Sequence, residues 1–225
     1  DYDIRITRVH MEEDAGKLLH EGFADSDCRS YVDLNRAGTP LIEIVTEPDL
    51  RGPKDAAAFF GYLRELLVAI GVNDGNMEEG SLRCDANVSV RPAGTSSLGT
   101  KAEIKNLNSF RFVEEAIAYE IERQIDALDA GERIVQETRL WDPAGKRTVS
   151  MRSKEEAHDY RYFPEPDLPP LVVDAARLQQ VRRELPELPA ARRQRLMTAY
   201  ALSSADAVAL TQVAPGLDAY FEEAI

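Results

Sequence analysis

The sequence predicts an α+β protein in which an antiparallel sheet and two long helices precede a small all-α segment. Short stretches alternate apolar and polar residues, as strands with one solvated face do. Two longer stretches repeat apolar residues at helical spacing. Beyond residue 174 only short helical patterns remain, separated by breaks that contain Pro or Ser. We therefore expect a domain over 1–174 and the start of a helical domain over 175–225.

The first elements read as short strands. A strand is predicted over 2–11, followed by a polar loop that carries Glu12, Glu13 and Asp14. Further strands are expected over 31–36 and 41–46, separated by a Gly-Thr-Pro break.

Two helices stand out. Pro53 fits a first helical position, and an apolar repeat follows until Gly71. Asn108 or Ser109 can cap a second helix that runs to about 129 and ends at Gly131. Its predicted apolar stripe comprises Phe112, Ala116, Tyr119, Ile121, Ile125 and Leu128.

Strands predicted over 82–91 and 100–106 each have a polar face. One carries Arg83, Asp85, Asn87, Ser89 and Arg91, and the other carries Lys101, Glu103 and Lys105. A hairpin is expected from strands over 134–141 and 147–152. Four short helices are expected over 175–185, 190–201, 204–213 and 217–224.

Composition excludes several classes of protein. The 225 residues carry a formal net charge of −13, which excludes a surface that is basic throughout and coats nucleic acid. Residues 175–225 differ, with six Arg, no Lys and six acidic residues. Cys28 and Cys84 lack metal-ligand spacing, so a disulfide scaffold or cysteine-rich zinc module is excluded and a reducing compartment is expected. No apolar run approaches the roughly 20 residues of a membrane span, and we expect a cytoplasmic protein without a membrane partner.

Each candidate site has a functional and a structural interpretation. The three acids after the first strand can hold Mg²⁺, which prefers oxygen ligands, or can form a solvated loop. If the two polar strand faces share a sheet, they form a floor of mixed charge suited to a nucleoside triphosphate with metal; cross-strand ion pairs are the alternative. The late arginines can contact polynucleotide phosphates or form a solvated helix face. His10 is a secondary candidate for a base or a metal ligand.

Other kinds of active site lack support. The serines have no Gly-x-Ser-x-Gly setting, and the glycines at 75–80 match neither a Walker loop nor a dinucleotide fingerprint. An ATP site would therefore have to be of another type.

The order of the motifs carries a resemblance that spans nearly all of 1–174. The motifs are HMEEDAGK at 10–17, DLNR at 33–36, GTPLIEIV at 38–45, MEEGSLRCDAN at 77–87, KNLNSF at 105–110 and DYRYFPEPD at 159–167. In this order they resemble the B subunit of the bacterial tRNA-dependent amidotransferases.

This resemblance implies a specific activity. The family converts Glu-tRNA(Gln) to Gln-tRNA(Gln), and in many bacteria Asp-tRNA(Asn) to Asn-tRNA(Asn). The B subunit is taken to activate the side-chain carboxylate with ATP and Mg²⁺. Ammonia released from glutamine by the amidase (A) subunit then displaces phosphate, and the small (C) subunit braces the other two. The implied fold is an antiparallel cradle like that of glutamine synthetase and the guanido kinases.

The resemblance also implies site residues. Glu13, Asp85 and Glu103 are the catalytic candidates, with Asp85 and Glu103 suited either to metal or to the ammonia route. Glu12 and Glu13 are the metal ligands expected from the first motif. Basic candidates for the phosphates of ATP are Arg83, Lys101, Lys105 and Arg161, and Glu43 is a weaker acidic candidate.

The chain is shorter than the family's pattern. An upstream part with an early Glu/His metal pair and a C-terminal tail domain are both expected to be missing, so we expect a fragment that lacks full activity alone. Two alternatives stay open. A non-catalytic tRNA-binding or scaffold domain would need no metal-dependent ATP affinity, and a stand-alone ligase of the glutamine synthetase type would not depend on charged tRNA.

Overall fold

The structure is a computed structural model that describes residues 3–20, 22–23, 25, 28–151, 170–214 and 216–225. The chain divides into two compact units, 1–51 and 52–225. No helix within the described residues is long and apolar enough to cross a membrane.

The first unit consists of two antiparallel strand pairs. Strand β1 (Ile6–Glu13) pairs with β4 (Pro40–Thr46), and β2 (Lys17–Leu19) pairs with β3 (Tyr31–Asp33). The predicted polar loop from Glu12 is wrong at its start, because Glu12 and Glu13 still pair with Leu41 and Pro40. Strand β2 was not predicted, since three residues are too few to show alternation.

The second unit contains a four-stranded sheet in the order β5-β6-β7-β8. Its strands are β5 (Cys84–Val88), β6 (Ala102–Leu107), β7 (Thr138–Asp142) and β8 (Arg147–Ser150). The outer two ladders are antiparallel as predicted, and β7 and β8 form the expected hairpin. The ladder between β6 and β7 is parallel, which corrects the prediction of a wholly antiparallel sheet. A helical crossover makes this possible, because parallel neighbours need a long connection.

One long helix precedes this sheet in the chain, and a second connects β6 to β7. Helix α1 (Pro53–Ala69) starts with Pro at its first position, as predicted. Helix α2 (Phe110–Asp129) is capped by Ser109, whose side chain accepts a hydrogen bond from the Phe112 N–H. The buried residues of α2 are Val113, Ala116, Ile117, Glu120 and Gln124, which confirms Ala116 of the predicted stripe but not its other members. Ile125 and Leu128 of the predicted stripe are exposed.

A β-bulge interrupts β6. Cys84 pairs with Leu107 but Ala86 pairs with Ile104, so β6 contains one extra residue between these pairs. Asn106 adopts the left-handed conformation there, with φ of 70°. Its side-chain amide donates a hydrogen bond of 3.0 Å to the Trp141 carbonyl on β7, which anchors the bulge to the neighbouring strand.

Four short helices follow, at almost the predicted bounds. They are α3 (Ala175–Glu184), α4 (Pro189–Tyr200), α5 (Ser204–Gln212) and α6 (Leu217–Ala224). Leu196 of α4 and Ala207 of α5 are fully buried. Arg193 of α4 forms an ion pair with Glu65 of α1. The domain boundary expected near 174 stays a prediction.

A buried charged cluster joins α2 to the sheet. The Glu120 side chain has no exposed surface and accepts hydrogen bonds from Arg123, Gln124 and Thr148. Burial alone would raise the pKa of Glu120, but these hydrogen bonds outweigh it and the pKa is lowered. The carboxylate therefore stays charged, with Arg139 of β7 at 3.4 Å as a further partner.

Candidate functional site

The two faces of the four-stranded sheet have opposite character. Val88, Ala102 and Ile104 are buried on the side where α2 packs. Asp85, Asn87, Glu103 and Lys105 alternate with these apolar residues and are exposed or half-buried. Because successive strand residues point to opposite faces, they line the open face of the sheet. This confirms the predicted alternation over the observed strands and meets the condition that the two polar faces share one sheet.

Three of the predicted site residues meet on this face. The Lys105 Nζ lies 2.8 Å from Asp85 Oδ2 and 3.3 Å from Glu103 Oε1. Partial burial alone would lower the pKa of Lys105, but the two carboxylates outweigh it and raise the pKa. Lys105 therefore remains charged between two acids. The side chains of Asp85 and Glu103 keep 46% and 34% of their surface exposed, so all three groups are accessible to a ligand.

A fourth residue, Thr138, completes the cluster. Its hydroxyl donates a hydrogen bond of 2.8 Å to Glu103 Oε2, the oxygen that does not face Lys105. Thr138 lies directly opposite Glu103 in the parallel ladder. Sequence reasoning missed Thr138, because the alternation in β7 does not reveal which strand lies beside it or in which direction.

The other basic candidates lie at the margins of this face. Arg83 and Lys101 are exposed and directly precede β5 and β6. The Arg83 guanidinium lies against Gly80, with Nη2 3.4 Å from the place a Cβ would take there. Arg161 lies outside the described residues, as does the whole motif at 159–167.

The acidic motif of the first unit is arranged differently from the expected loop. Glu12 and Glu13 are both exposed, and as successive strand residues they point to opposite faces. The Asp14 carboxylate accepts a hydrogen bond of 2.8 Å from Arg36 Nε. The three acids therefore do not form one ligand set, although either glutamate is accessible.

Neither His10 nor Glu43 gains support as a principal site residue. They lie opposite each other in the β1–β4 ladder. The Glu43 carboxylate is paired with Arg8 at 3.1 Å.

The three late arginines that lie on α4 serve as ion-pair partners. Arg192 pairs with Asp218, and Arg195 is held by Glu187 and Glu222. With Arg193 on Glu65, all three arginines of α4 are neutralised by carboxylates. The interpretation of the α4 arginines as a phosphate-binding row is therefore not favoured.

Metal binding by Asp85 and Glu103 would need further oxygen ligands from water and from the phosphates of a nucleotide. Within the part of the chain that the structure describes, no group of three His, Cys, Asp or Glu side chains is arranged to hold a metal. Mg²⁺ commonly takes only one or two carboxylates and completes its shell with water and phosphate oxygens. The exposed carboxylates of Asp85 and Glu103 fit such a metal–phosphate complex in chemistry and number.

The chain is similar in sequence to known proteins over nearly its whole length. A sequence profile described as "GatB/GatE catalytic domain" matches residues 1–179. The chain is 57% identical over 222 residues to the B subunit of the aspartyl/glutamyl-tRNA(Asn/Gln) amidotransferase of Paraburkholderia xenovorans, and the match covers 99% of this chain and 44% of that protein. It is 59% identical over 222 residues to the protein of the same name from Solidesulfovibrio magneticus, with 99% and 46% covered.

These matches place the four-stranded sheet and the strand pairs of the first unit inside one catalytic-domain profile. The chain belongs to the GatB/GatE family, as the order of its motifs indicated. It spans less than half the length of the curated relatives described above.

Proposed function

We propose that this chain forms catalytic machinery of the B subunit in a tRNA-dependent amidotransferase, a ligase that makes a carbon–nitrogen bond. Its substrates would be Glu-tRNA(Gln), Asp-tRNA(Asn) or both. The proposal is supported by membership of the family and by the names of relatives that match nearly the whole chain.

The reaction would have two steps, phosphorylation of the substrate carboxylate and then its amidation. An oxygen of the substrate's side-chain carboxylate attacks the γ-phosphorus of ATP, and ADP leaves with the electrons of the broken bond. Ammonia then attacks the acyl phosphate carbon, inorganic phosphate leaves, and the nitrogen loses a proton to give the amide. Glutamine would supply the ammonia through the amidase subunit, and the small subunit would complete the complex in the cytoplasm.

The observation that carries the proposal is the open-face cluster of Lys105 with Asp85 and Glu103. Phosphoryl transfer needs positive charge near the phosphate oxygens, since negative charge spreads over them in the transition state. Lys105 would supply that charge, assisted by Arg83 and Lys101 at the margin of the sheet. Arg161, outside the described residues, stays a candidate from its sequence motif alone.

The acids would serve the metal that accompanies ATP. Asp85 and Glu103 would hold Mg²⁺ on the open face of the sheet. Glu12 and Glu13 stay candidate metal ligands within the first unit, taken by itself. When bound, Mg²⁺ neutralises phosphate charge and orients the triphosphate. Lys105 meanwhile keeps the two neighbouring carboxylates from repelling each other.

The test separates nucleotide binding from metal binding. In Lys105→Gln, calorimetric titration should show affinity for Mg²⁺-ATP reduced about tenfold or more, because a charge-assisted hydrogen bond to phosphate is lost. Affinity for Mn²⁺ alone should not fall, since the variant leaves both carboxylates in place. The matched control is Lys54→Gln, which removes the same charge from an exposed position on α1.

The outcomes divide the candidate functions. Equal Mg²⁺-ATP affinity in Lys105→Gln and the parent chain would contradict the assignment of Lys105. A folded chain without metal-dependent nucleotide affinity, alone or with the amidase and small subunits, would favour the scaffold alternative. Transamidation of glutamate on tRNA in the reconstituted complex, lost in Lys105→Gln but not in Lys54→Gln, would support the full proposal.

A further inference from the structure

We propose that Thr138 is a positioning residue, which acts by holding the Glu103 carboxylate in place beside Lys105 on the open face of the sheet. This inference rests on the proposed function, because it needs Glu103 to take part in binding metal and nucleotide. Thr138 itself would touch neither substrate nor metal.

The hydrogen bonds of Glu103 carry the argument. Its two carboxylate oxygens have different partners, Lys105 Nζ at 3.3 Å from Oε1 and the Thr138 hydroxyl at 2.8 Å from Oε2. The contact with Thr138 is the shorter one. Lys105 lies closer to Asp85, at 2.8 Å, so it restrains Glu103 less than Thr138 does.

The backbone supports the same pairing. Glu103 and Thr138 lie opposite each other in the β6–β7 ladder, and the Glu103 N–H donates to the Glu137 carbonyl at 3.0 Å. A threonine side chain has restricted rotation about its first bond, so the hydroxyl position is largely set by the backbone. The half-exposed Glu103 side chain, by contrast, has several rotatable bonds to fix.

The hydroxyl adds little to the packing of the core. Thr138 is half-buried and belongs to the open face, whereas its neighbour Arg139 reaches Glu120 on the helix-covered face. Valine has nearly the shape of threonine but cannot donate a hydrogen bond. Thr138→Val therefore removes the bond to Glu103 with little change in volume, and Thr138→Ser keeps it.

The experiment is a double-mutant cycle that measures the affinity of the chain for Mn²⁺ in the presence of ATP. Thr138→Val should weaken that affinity about threefold to tenfold, the usual range for loss of one hydrogen bond. Thr138→Ser should bind within a factor of two of the parent. In a Glu103→Gln background, Thr138→Val should have no further effect, because its influence passes through the carboxylate.

Thermal midpoints of the parent and the four variants serve as the structural control. If Thr138 is a positioning residue, Thr138→Val should bind Mn²⁺ more weakly than Thr138→Ser, while the thermal midpoints of these two variants stay close together. A lower midpoint in Thr138→Val with unchanged affinity would overturn the inference in favour of a structural role. Equal effects of Thr138→Val in both backgrounds would also overturn it, because the residue would then act independently of Glu103.

Failure of the proposed function gives a different pattern. If Glu103→Gln leaves the affinity unchanged, or the parent chain binds no Mn²⁺ with ATP, the role of Glu103 is refuted and the inference falls with it. If Glu103→Gln weakens binding and Thr138→Val does not, the proposed function stands and only the inference fails.

Discussion

The Thr148 hydroxyl on β8 donates a hydrogen bond of 2.9 Å to the buried carboxylate of Glu120 on α2. It also accepts one from Arg139 at 2.8 Å, so a single hydroxyl links the helix carboxylate to two strands. Glu120 is thereby the point at which α2 is fixed to the β7–β8 side of the sheet.

Glu120→Gln is expected to destabilise the second unit by roughly 2–3 kcal/mol at pH 7, because Arg123 loses the charge of its buried carboxylate partner and Arg139 keeps only its ion pair with Glu137. Urea unfolding followed by fluorescence of Trp141, the sole tryptophan, measures this. The exposed residue Glu122, changed to Gln, is the control on the same helix.

The difference in unfolding free energy between the parent and Glu120→Gln is expected to depend on pH. The pKa of Glu120 is lowered in the folded protein, so its contribution to stability is present above the unfolded pKa of about 4.3 and is lost as pH falls through the folded pKa. The difference between the parent and Glu120→Gln should therefore shrink below about pH 4. A difference that stays constant down to pH 2 would contradict the pKa direction.

Asp49 is expected to titrate near pH 2. The Arg5 side chain donates two hydrogen bonds to its carboxylate, at 3.0 and 2.7 Å, and the Arg5 N–H donates a third. These bonds lower the pKa of Asp49 to about 2. Carboxyl-carbon NMR should show the pKa of Asp49 rising toward about 4 in Arg5→Gln. Arg8→Gln, three residues further along in β1, should leave it unchanged, and an equal rise in both variants would rule out a specific effect of Arg5.

The two cysteines are expected to differ sharply in reactivity. Burial, and secondarily the Asp85 charge, raises the pKa of Cys84 to about 12, whereas Cys28 is exposed. At pH 8 iodoacetamide should modify Cys84 roughly a thousandfold more slowly than an ordinary thiol, because so little thiolate is present. Peptide mass spectrometry over time measures both sites. Urea should remove the difference in labelling rate between the two cysteines. Rapid labelling of Cys84 in the folded chain would contradict the raised pKa of its thiol.

Substitutions of Asn106 at the bulge are expected to differ in how much they lower the stability of the protein. Asn106→Gly tolerates the positive φ and loses only the bond to Trp141, which costs about 1 kcal/mol. Asn106→Val loses that bond and also strains the backbone, so its cost should be larger by about 1–2 kcal/mol. Urea unfolding of the two variants gives the comparison. Equal stabilities would show that the left-handed conformation imposes no penalty.

Local signals predicted the helices well. The first-turn proline at Pro53 and the cap at Ser109 fix where α1 and α2 begin, and both act within one turn of the helix. The buried stripe of α2 was harder, because Gln124 occupies a core position. Its amide bonds to the Val88 carbonyl and the Val90 N–H at the end of β5, partners that lie far away in sequence.

The sequence predicted which site residues share a face of one strand, but it did not predict which residues of different strands lie side by side. Alternation placed Glu103 and Lys105 on one face of their strand, and the structure confirms this. The neighbour relation between Glu103 and Thr138 depends on a parallel ladder, which alternation alone does not distinguish from an antiparallel one. Roles in binding ATP and Mg²⁺ stay predictions for all these residues.

The strand order of the four-stranded sheet has a consequence for how it assembles. Since β7 and β8 are joined only by residues 143–146, their pairing requires closure of a very short loop. The β6–β7 ladder instead joins strands separated by the whole of α2, so its closure costs more chain entropy. We therefore expect the β7–β8 hairpin to form first and the pairing of β7 with β6 to be the slower step in folding this sheet.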